Sequence, residues 1–474
     1  MMPNKHKTKI VCTVGPASDS PLTLESMILA GMNVARLNFS HGDFDSHAAS
    51  IKNIRAAAAA VGRQVAIMGD LPGPKMRIGS LQEEPLWLRA DDSFTLSTED
   101  IIGDRERAAV SFCRLPEAVK TGDRLFLNDG IIHLQVAGVE GSEVHCQVLV
   151  GGELRSRKGL NLPGINLGVS AFTDNDHACL KFASEQGIDA VSQSFVANAA
   201  DVEAVRHAAA ALDYQPFIIA KIERSQALDE IDGILDSADG IMVARGDLGV
   251  EIPIERMAIV QKALMDKAVR LGKPVITATQ MLGSMVKNRR PTRAEATDVA
   301  NAILDGTDCV MLSEESAMGE FPVAAVGMLA SIATETEPHQ TPWKLQAALQ
   351  DYGRDGSITV VDLIALNVEL TMQRITPAAL IVPTLSGATA RNITRFRLPV
   401  WITAFTPVSS TSQALQFSYG INPVVVERNL KDWNLFSREW LKTEAFDSGL
   451  ALLVQGPSGE HPEQNHRLEI LELG

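Results

Sequence analysis

The sequence predicts an α/β protein: a (β/α)8 barrel with a small β-barrel domain inserted into it and an α/β domain at its C-terminus. Two observations carry this prediction. Eight apolar, β-type runs alternate with segments of helical period, and eight such units are the number that closes a barrel. A long stretch of short alternating segments interrupts the series after its third run, and a new α/β series follows the eighth.

The predicted barrel strands are, in chain order, KIVCTV, NVARLNFS, QVAIMGD, AVSQSFV, PFIIAKIE, GIMVARGD, PVITATQ and CVMLSEES. Helical stretches such as SHAASIKNIRAAAAA and IERMAIVQKALMDKAVRL separate them. This alternation is typical of a parallel sheet covered by helices, and eight units indicate a barrel of the TIM type. We therefore assign residues 1–70 and 160–338 to a catalytic barrel.

Two further regions lie outside the barrel pattern. Residues 71–159 contain short alternating segments such as FTLSTE and SEVHCQVLV between glycine and aspartate turns, which predicts an inserted β domain. After the polar stretch EPHQTPWK, the runs ALIVPTLSG, PVWITAF, NPVVVE and ALLVQGPSG alternate with helical segments. This series predicts a C-terminal α/β domain over residues 345–474.

Composition and charge limit the class of protein. A chain of 474 residues suggests roughly three domains, and 45% hydrophobic with 21% charged residues is ordinary for a soluble globular protein. The sequence shows no apolar run of membrane-spanning length and no signal peptide. Its five scattered cysteines form no CxxC pair, which favours the cytoplasm. A net charge of −15 argues against nucleic acid or membrane partners.

Polar side chains concentrate where the predicted barrel strands end, which is where barrel enzymes place their chemistry. They are Arg36, Asn38 and Ser40 after strand two, Asp70 after strand three, Lys221 and Glu223 after strand five, Arg245, Gly246 and Asp247 after strand six, Thr277 and Thr279 on strand seven, and Ser313, Glu314 and Glu315 after strand eight. Spacing by two predicts one face for the three residues of strand two. Any single pair could be a structural salt bridge, but the whole set predicts an active site.

The residue types in this set indicate phosphoryl transfer. Glu223 and Asp247 on neighbouring strands suit Mg²⁺ or Mn²⁺. Lys221 adds a compact positive charge, and Arg36 adds a planar fork for phosphate or carboxylate. Neutralising the charge of a transferred phosphoryl group requires this combination. The chain contains neither a GxxxxGK[ST] loop nor a GxGxxG turn after a strand.

Seven long segments resemble the signatures of the pyruvate kinase family in its order and spacing: TKIVCTVGPAS, ARLNFSHG, KGLNLPG, IIAKIE, MVARGDLGVEIP, ITATQML and NRRPTRAEATDVANAILDGTDCVMLS. LNDGIIHL and IVPTLSGATAR extend the resemblance over nearly the whole chain. The resemblance implies a glycolytic enzyme of the cytoplasm, a homotetramer that transfers a phosphoryl group from phosphoenolpyruvate to ADP. Its products would be pyruvate and ATP, by way of an enolpyruvate intermediate.

The resemblance also implies roles for individual residues. Arg36 and Lys221 would bind and neutralise the phosphoryl group, Glu223 and Asp247 would hold the metal, and Gly246 and Thr279 would contact the substrate, Thr279 by orienting the proton donor. A monovalent-cation pocket would comprise Asn38, Ser40, Asp70, Leu71 and Lys75. Nucleotide contacts would come from Asn38, His41, Arg63, Arg77 and Lys158, although a structural hydrogen bond is an equal explanation for His41. Asp129 belongs to the inserted domain, which in the family closes as a lid.

The stretch DLPGPKMR differs from the DTKGPEIR typical of many pyruvate kinases that need K⁺. Lys75 stands at the position of the family's glutamate, and members with lysine there are associated with K⁺ independence. A tethered ammonium can supply the positive charge that a bound K⁺ otherwise supplies, and we expect it to offset Asp70. The prediction is that K⁺ is not required.

Two features leave other functions open. Ser386, Gly387 and Thr389 at a predicted helix start favour a site for a phosphorylated effector, although an ordinary capped helix explains them equally. Strand eight continues as SEESAMG where the family usually has SGETAKG, and Glu314, Ser316 and Met318 put nucleotide binding in doubt. The alternatives are a phosphoenolpyruvate-binding regulator with little turnover and a metal-dependent carbon–carbon lyase on the same barrel.

Overall fold

The computed structural model describes residues 5–165, 168–340, 358–427, 432–446, 448–457 and 465–473. Its first part contains strands β1 (Lys9–Thr13), β2 (Val34–Asn38) and β3 (Ala66–Leu71), with helices α1 (Pro21–Ala30) and α2 (Phe44–Ala60) between them. Both helices begin at capping side chains, because Ser20 accepts a hydrogen bond from Thr23 N and Asp43 accepts one from Ser46 N. These elements are the first units of the barrel.

The inserted region after β3 is all β apart from one short helix, as predicted. Its elements are β4 (Leu86–Leu88), β5 (Ser93–Ser97), β6 (Arg107–Ala109), α3 (Leu115–Ala118), β7 (Arg124–Leu127), β8 (Ile132–Glu140), β9 (Glu143–Val150), β10 (Gly152–Leu154) and β11 (Leu160–Asn161). They form a six-stranded sheet in the order β11-β7-β8-β9-β5-β6 and a two-stranded sheet of β10 and β4. The two sheets enclose one apolar core that includes Phe94, Leu125 and Leu134.

The chain then completes the barrel. The elements are α4 (Asp174–Gln186), β12 (Ala190–Gln193), α5 (Ala199–Ala210), β13 (Phe217–Ile222), α6 (Gln226–Asp229), α7 (Ile231–Ser237), β14 (Gly240–Ala244), α8 (Arg245–Glu251), α9 (Met257–Arg270), β15 (Val275–Ala278), α10 (Arg293–Leu304), β16 (Cys309–Leu312), α11 (Glu314–Ala317) and α12 (Pro322–Thr336). Short 3-10 helices cover Ile254–Arg256, Gly283–Val286 and Glu337–His339. Strands β1–β3 and β12–β16 pair in parallel, and β1 meets β16 to close the barrel. The predicted fold class is confirmed.

In two strands the side chains that point into the barrel change from apolar to charged along the strand. In β13, Phe217 and Ile219 belong to the core inside the barrel, and Lys221 follows on the same face. In β3, Met68 belongs to that core and Asp70 follows it. On these two strands the residues toward the amino end of the barrel are apolar, and the residues at the carboxyl end are charged.

Several predicted strand ends are corrected by the structure. Strand β14 ends at Ala244, and Arg245 to Asp247 instead begin helix α8, where an acidic residue in the first turn suits the helix dipole. Strand β2 ends at Asn38, so Ser40 lies in an exposed turn rather than on the face of Arg36. Thr277 bonds to Thr307 on the outer side of β15, because Ile276 and Ala278 occupy the inner face.

The C-terminal part is a separate α/β domain, and its predicted start at residue 345 lies outside the described residues. Its elements are α13 (Val360–Met372), β17 (Ala379–Pro383), α14 (Ala388–Thr394), β18 (Ile402–Thr406), α15 (Ser409–Ala414), a 3-10 helix (Leu415–Phe417), β19 (Ile421–Val425), α16 (Trp433–Thr443), β20 (Gly449–Gln455) and β21 (Arg467–Leu473). The sheet order is β19-β18-β17-β20-β21, and only its last pair is antiparallel. The four strands predicted for this region correspond to β17–β20.

The C-terminal domain covers the amino end of the barrel. The Phe417 ring is fully buried in the core inside the barrel and stacks on Phe217, with 5.4 Å between ring centroids. The Cys309 thiol donates to the Phe417 carbonyl at 3.2 Å, and Lys9 Nζ donates to the Ile421 carbonyl at 2.6 Å. In the part of the chain that is described, no helix is long and apolar enough to cross a bilayer.

Candidate active site

Asp70 is the centre of a buried charge cluster at the carboxyl end of the barrel. Arg36 donates two hydrogen bonds to Asp70 Oδ2, one of them from Nε at 2.9 Å. Lys221 Nζ lies 3.3 Å from Asp70 Oδ1, and the Ser192 hydroxyl donates to the same oxygen at 2.7 Å. Burial opposes ionisation, but the charges of Arg36 and Lys221 lower the pKa of Asp70 to about 2. Asp70 is thus a fixed anion that positions two cations.

Lys221 connects Asp70 to Glu223. Its Nζ lies 2.9 Å from Glu223 Oε1 and donates to the Ser194 hydroxyl at 2.7 Å, and that hydroxyl donates to the Leu71 carbonyl. Burial disfavours the ammonium, but Asp70 and Glu223 raise the pKa of Lys221 above its ordinary value. The cluster therefore contains a permanently charged ammonium whose position is fixed by three side chains.

Glu223 and Asp247 could hold a divalent metal. Burial raises the pKa of Glu223 and so does the charge of Asp247, while Lys221 opposes both effects. Glu223 Oε2 accepts the Phe195 amide at 2.8 Å, and Asp247 lies in the first turn of α8. A cation would relieve the repulsion between the two carboxylates, and this donor set fits Mg²⁺, which takes one or two carboxylates and completes its shell with water and substrate oxygens. Among the described residues, no cluster of three or more His, Cys, Asp or Glu side chains could hold a metal by itself.

Thr279 has a strained backbone next to the metal candidates. It directly follows β15 with a φ of 68°, which is an outlier for a β-branched residue. Its Oγ1 accepts the Gly246 amide at 2.8 Å and donates to the Ala278 carbonyl at 2.7 Å. Arg245 also supports this turn, because its Nη2 donates to the Thr279 carbonyl at 2.9 Å. A strained conformation held by surrounding contacts is typical of functional sites.

Residues predicted for the monovalent-cation pocket are only partly brought together. Asn38 Oδ1 accepts the Ser40 amide at 3.1 Å, and the Ser40 side chain is exposed. The prediction that Lys75 offsets Asp70 is corrected, because Lys75 Nζ lies 3.5 Å from Asp247 Oδ1 instead. Arg36, Lys221 and Ser192 already bind the carboxylate oxygens of Asp70. The turn at Gly73, with a φ of 64°, also redirects the chain between Asp70 and Lys75.

Two of the predicted nucleotide residues lie where the inserted domain joins the barrel. Arg77 pairs with Gly159 in an isolated antiparallel bridge and donates to the Arg157 carbonyl at 3.0 Å. Lys158 is the next neighbour, and its carbonyl accepts the Ile78 amide. His41 is exposed in the turn after β2, where its amide donates to the Asn38 carbonyl.

The prediction of a nucleotide contact at Arg63 is not supported by its position. Arg63 lies between the end of α2 and the start of β3. In a (β/α)8 barrel, loops that follow helices lie at the amino end of the strands, opposite the loops that carry chemistry. Its neighbour Gln64 accordingly accepts a hydrogen bond from Ser412 of the C-terminal domain at 2.9 Å. The order of residues along the chain did not reveal on which end of the barrel Arg63 lies.

Asp129 lies in the turn between β7 and β8, with a φ of 54°. A Cβ atom placed on the adjacent Gly130 would lie 3.4 Å from the side chain of Val250 in α8. The tip of the inserted domain therefore touches the helix whose first turn carries Asp247. This contact places the inserted domain at one edge of the site.

Ser386 and Gly387 lie in the loop before α14, and Thr389 is the second residue of that helix. The Gly387 amide donates to Thr384 Oγ1 at 2.9 Å, and the Ala388 amide donates to Ser386 Oγ at 3.4 Å. Two amides at the start of α14 thus have partners within the loop. The helix itself begins after Gly387 without a side-chain cap at that position.

Sequence reasoning missed the serines of strand β12. Ser192 pairs in register with Asp70 and bonds to it, and Ser194 accepts from Lys221. The alternation in AVSQS was a usable signal, because a period of two puts both hydroxyls on one face. Glu315 instead has a structural role, since its carboxylate accepts the Leu282 and Ser313 amides. Of the three departures after strand eight, Glu314 and Met318 are exposed, and Ser316 is buried and donates to the Thr13 carbonyl at 2.8 Å.

A closed barrel with a buried charge cluster at the carboxyl ends of its strands defines an enzyme of the (β/α)8-barrel class. Two family models match the chain: the pyruvate kinase barrel domain over residues 5–326 and the pyruvate kinase alpha/beta domain over residues 362–459. The chain therefore belongs to the pyruvate kinase family of enzymes.

Individual relatives agree with this assignment. A pyruvate kinase from Thermococcus litoralis is 46% identical over 430 residues, which cover 90% of each chain. One from Geobacillus stearothermophilus is 44% identical over 88% of this chain and 71% of the relative. The crystal structure of a pyruvate kinase from Cryptosporidium parvum superposes with a TM-score of 0.91 at 35% identity, covering 99% of this chain and 97% of that one.

Proposed function

We propose that this enzyme transfers the phosphoryl group of phosphoenolpyruvate to ADP and so forms pyruvate and ATP in glycolysis. The observation that carries the proposal is the buried ammonium of Lys221, which is fixed between Asp70 and Glu223. A cation held in place beforehand can stabilise the charge of a phosphoryl group in transfer without reorganising first. Arg36 adds a second cation, which is bonded to the carboxylate of Asp70.

Glu223 and Asp247 are proposed to hold Mg²⁺ or Mn²⁺. When bound, the metal supplies positive charge to the phosphate and enolate oxygens of the substrate. The Gly246 amide and Thr279 line the same region through their mutual hydrogen bond of 2.8 Å. Thr279 orients the proton donor for the enolate carbon, and its strained turn fixes the direction of its hydroxyl.

The remaining predicted residues surround this centre in the proposal. Asn38, His41, Arg77 and Lys158 would contact ADP, and Arg63 is left out because it lies at the other end of the barrel. Residues 71–159, with Asp129 at a tip, would act as a lid on the barrel of residues 1–70 and 160–338. Excluding water by lid closure protects the phosphoryl group from hydrolysis. Residues 345–474 would form a regulatory domain in a homotetramer.

The first experiment is a coupled assay for pyruvate with phosphoenolpyruvate, ADP and Mg²⁺. Turnover that needs all three components would support the proposal. Binding of phosphoenolpyruvate without turnover would favour the regulator, and cleavage of a carbon–carbon bond without ATP formation would favour the lyase. Either result would contradict the proposed reaction. The buried side chains of the catalytic cluster favour the kinase, because a binding module does not need a fixed ammonium.

We also propose that K⁺ is not required, because Lys75 supplies the charge. Its Nζ lies 3.5 Å from Asp247, and its side chain is 32% exposed, so a substrate anion can reach it. The enzyme should keep near-full activity when Na⁺ or tetramethylammonium replaces K⁺ and NH₄⁺. Lys75→Glu should lose activity that added K⁺ partly restores, whereas the matched charge change Lys52→Glu on the exposed face of α2 should not. Many-fold activation of the unmodified enzyme by K⁺ would contradict the role of Lys75.

An effector site at Ser386, Gly387 and Thr389 is the remaining proposal for the C-terminal domain. The test is the saturation curve for phosphoenolpyruvate with and without sugar phosphates or nucleoside monophosphates. A shift of the curve that Thr389→Val abolishes would support the site. Unchanged curves would leave the loop as a capped turn, in agreement with the hydrogen bonds of its amides.

A further inference from the structure

A narrow cavity lies between the barrel and the C-terminal domain, at the end opposite the catalytic cluster. On the barrel side it is lined by Gly272 and Lys273, in the loop after α9, and by Asp308. On the other side it is lined by α14 and the residues that follow, with Arg391, Arg395 and Arg397 among them. The empty space of about 190 Å³ includes open solvent at the mouth of the cavity, and the enclosed part is far smaller. Four cationic side chains and one carboxylate thus share this space.

Two of the four cations have a carboxylate partner. Arg397 pairs with Asp308 at 2.9 Å, and Arg395 pairs with Asp362. Lys273 Nζ donates to the Ala238 carbonyl at 2.6 Å, and Arg391 Nη2 donates to the Ser386 carbonyl at 2.8 Å.

Lys273 and Arg391 have no carboxylate within 4 Å in the described ranges of the chain. Asp239 acts on both from a greater distance, but it forms its ion pair with Arg206. The cavity therefore carries two positive charges without a counterion.

Several hydrogen-bond donors at this cavity are unused. Arg391 Nη1, Arg395 Nε and Arg397 Nε are buried without a hydrogen-bond partner among the described residues, and so is the Ser418 hydroxyl. Ser418 also lines the cavity. Buried polar groups are nearly always satisfied, so unpaired donors on four residues that line one cavity favour a ligand that accepts several hydrogen bonds. A tetrahedral oxyanion accepts hydrogen bonds on every side and neutralises cations.

We propose that this cavity binds a small tetrahedral oxyanion of the phosphate class, either the free ion or the phosphate group of a small ester. Bound there, the anion would join Lys273 of the barrel to Arg391 of the C-terminal domain. The site differs from the proposed effector loop, because neither Ser386, Gly387 nor Thr389 lines the cavity, although Arg391 donates to the Ser386 carbonyl. It is also independent of the reaction proposed for the carboxyl end.

The direct test is diffraction from crystals soaked in selenate, whose selenium scatters anomalously. A selenium peak between Lys273 Nζ and Arg391 Nη1 is expected. The alternative occupant is a single water molecule, which would give density without an anomalous signal. That outcome at saturating selenate would overturn the proposal.

In solution, the increase in melting temperature caused by inorganic phosphate is compared with that caused by chloride at equal ionic strength. Lys273→Met and Arg391→Met should each weaken the affinity for phosphate, derived from this increase, about 10- to 100-fold. That is the loss expected for one charge-assisted hydrogen bond. Lys52→Met, which removes an exposed lysine of α2, is the matched control. Using both variants guards against a folding defect in either one.

Glycerol 3-phosphate forms a second arm of the same titration. Competition between the ester and inorganic phosphate would identify a phosphate ester as a source of the anion, and binding of inorganic phosphate alone would identify the free ion. A phosphate response in both variants that equals that of the unmodified chain would contradict the site.

Discussion

The two ends of the barrel are both lined by buried charges, but the charged groups at each end have different kinds of partner. At the carboxyl end, Lys221 contacts Asp70 and Glu223, three side chains of the same barrel. At the amino end, Lys9 donates to a backbone carbonyl of the C-terminal domain, and Asp308 pairs with an arginine of that domain. The charges at the carboxyl end can exchange their partners for a substrate, whereas Lys9 and Asp308 at the amino end are already bound to the neighbouring domain.

The contrast is sharpest between the two lysines, which are both buried. Two carboxylates raise the pKa of Lys221, whereas burial lowers the pKa of Lys9 to about 8. Lys9 has no carboxylate within 4 Å among the described residues, and its other neighbour is the Trp401 ring, 5.1 Å from Nζ. A buried charge therefore indicates a reaction site when its partners are side chains that a ligand can replace.

The largest expected effect is on the carboxyl end. Asp247→Ala should reduce kcat by about 10³-fold or more, because the metal would lose one of its two carboxylates. The fold should be retained, since in the described part of the chain the Asp247 carboxylate forms a single ion pair, with Lys75 at 3.5 Å. Stopped assays with Mg²⁺ at increasing concentration measure the loss. The control is Asp232→Ala, which removes an exposed carboxylate of α7. Normal turnover in Asp247→Ala would contradict the metal assignment.

At the amino end, the largest effect should be on stability. Phe417→Ala should lower the free energy of unfolding by about 3–5 kcal/mol, because it empties a space inside the barrel core. Denaturant titration measures this change. Well below the melting temperature, kcat should stay within about threefold of the unmodified value, since the ring lies at the end remote from Lys221. A large loss of kcat in a folded Phe417→Ala protein would show that the two ends are not independent.

A smaller effect at the same end depends on pH. The ordinary pKa of a lysine is 10.5, and that of Lys9 in the folded chain is about 8. Between these values the unfolded chain keeps a proton that the folded chain has released, so stability from this group rises with pH. The gain at pH 10.5 over pH 7 is on the order of 3 kcal/mol. In unfolding titrations, the difference in unfolding free energy between the unmodified chain and Lys9→Met should therefore increase with pH. If that free-energy difference falls or stays constant between pH 8 and pH 10.5, the lowered pKa of Lys9 is contradicted.

Much of the fold could be predicted, because hydrophobic runs and helical periods are local signals. The eight barrel strands and the four parallel strands of the C-terminal domain follow from them. The exact strand ends could not be predicted, since Arg245 to Asp247 continue an apolar run in sequence yet begin α8. Strand β21 was not predicted, because its sequence RLEILEL contains three charged residues and no continuous apolar run.

The site was predictable where a residue lies at the carboxyl end of its own strand. Arg36, Asp70 and Lys221 meet there because parallel strands share one edge. Contacts between distant segments were not predictable: the pairing of Lys75 with Asp247 depends on the course of a turn. For the same reason Phe417, from another domain, was not expected inside the barrel core.

The most direct test of the account is to compare kcat in Lys221→Met and Lys9→Met, two variants that remove a buried ammonium from opposite ends of one barrel. Both proteins are assayed with phosphoenolpyruvate, ADP and Mg²⁺ after their folding has been checked by circular dichroism. We predict that Lys221→Met loses about 10³- to 10⁵-fold in kcat, while Lys9→Met stays within about threefold of the unmodified enzyme. Equal losses in the two folded variants, or near-normal turnover in Lys221→Met, would contradict the assignment of catalysis to the carboxyl end.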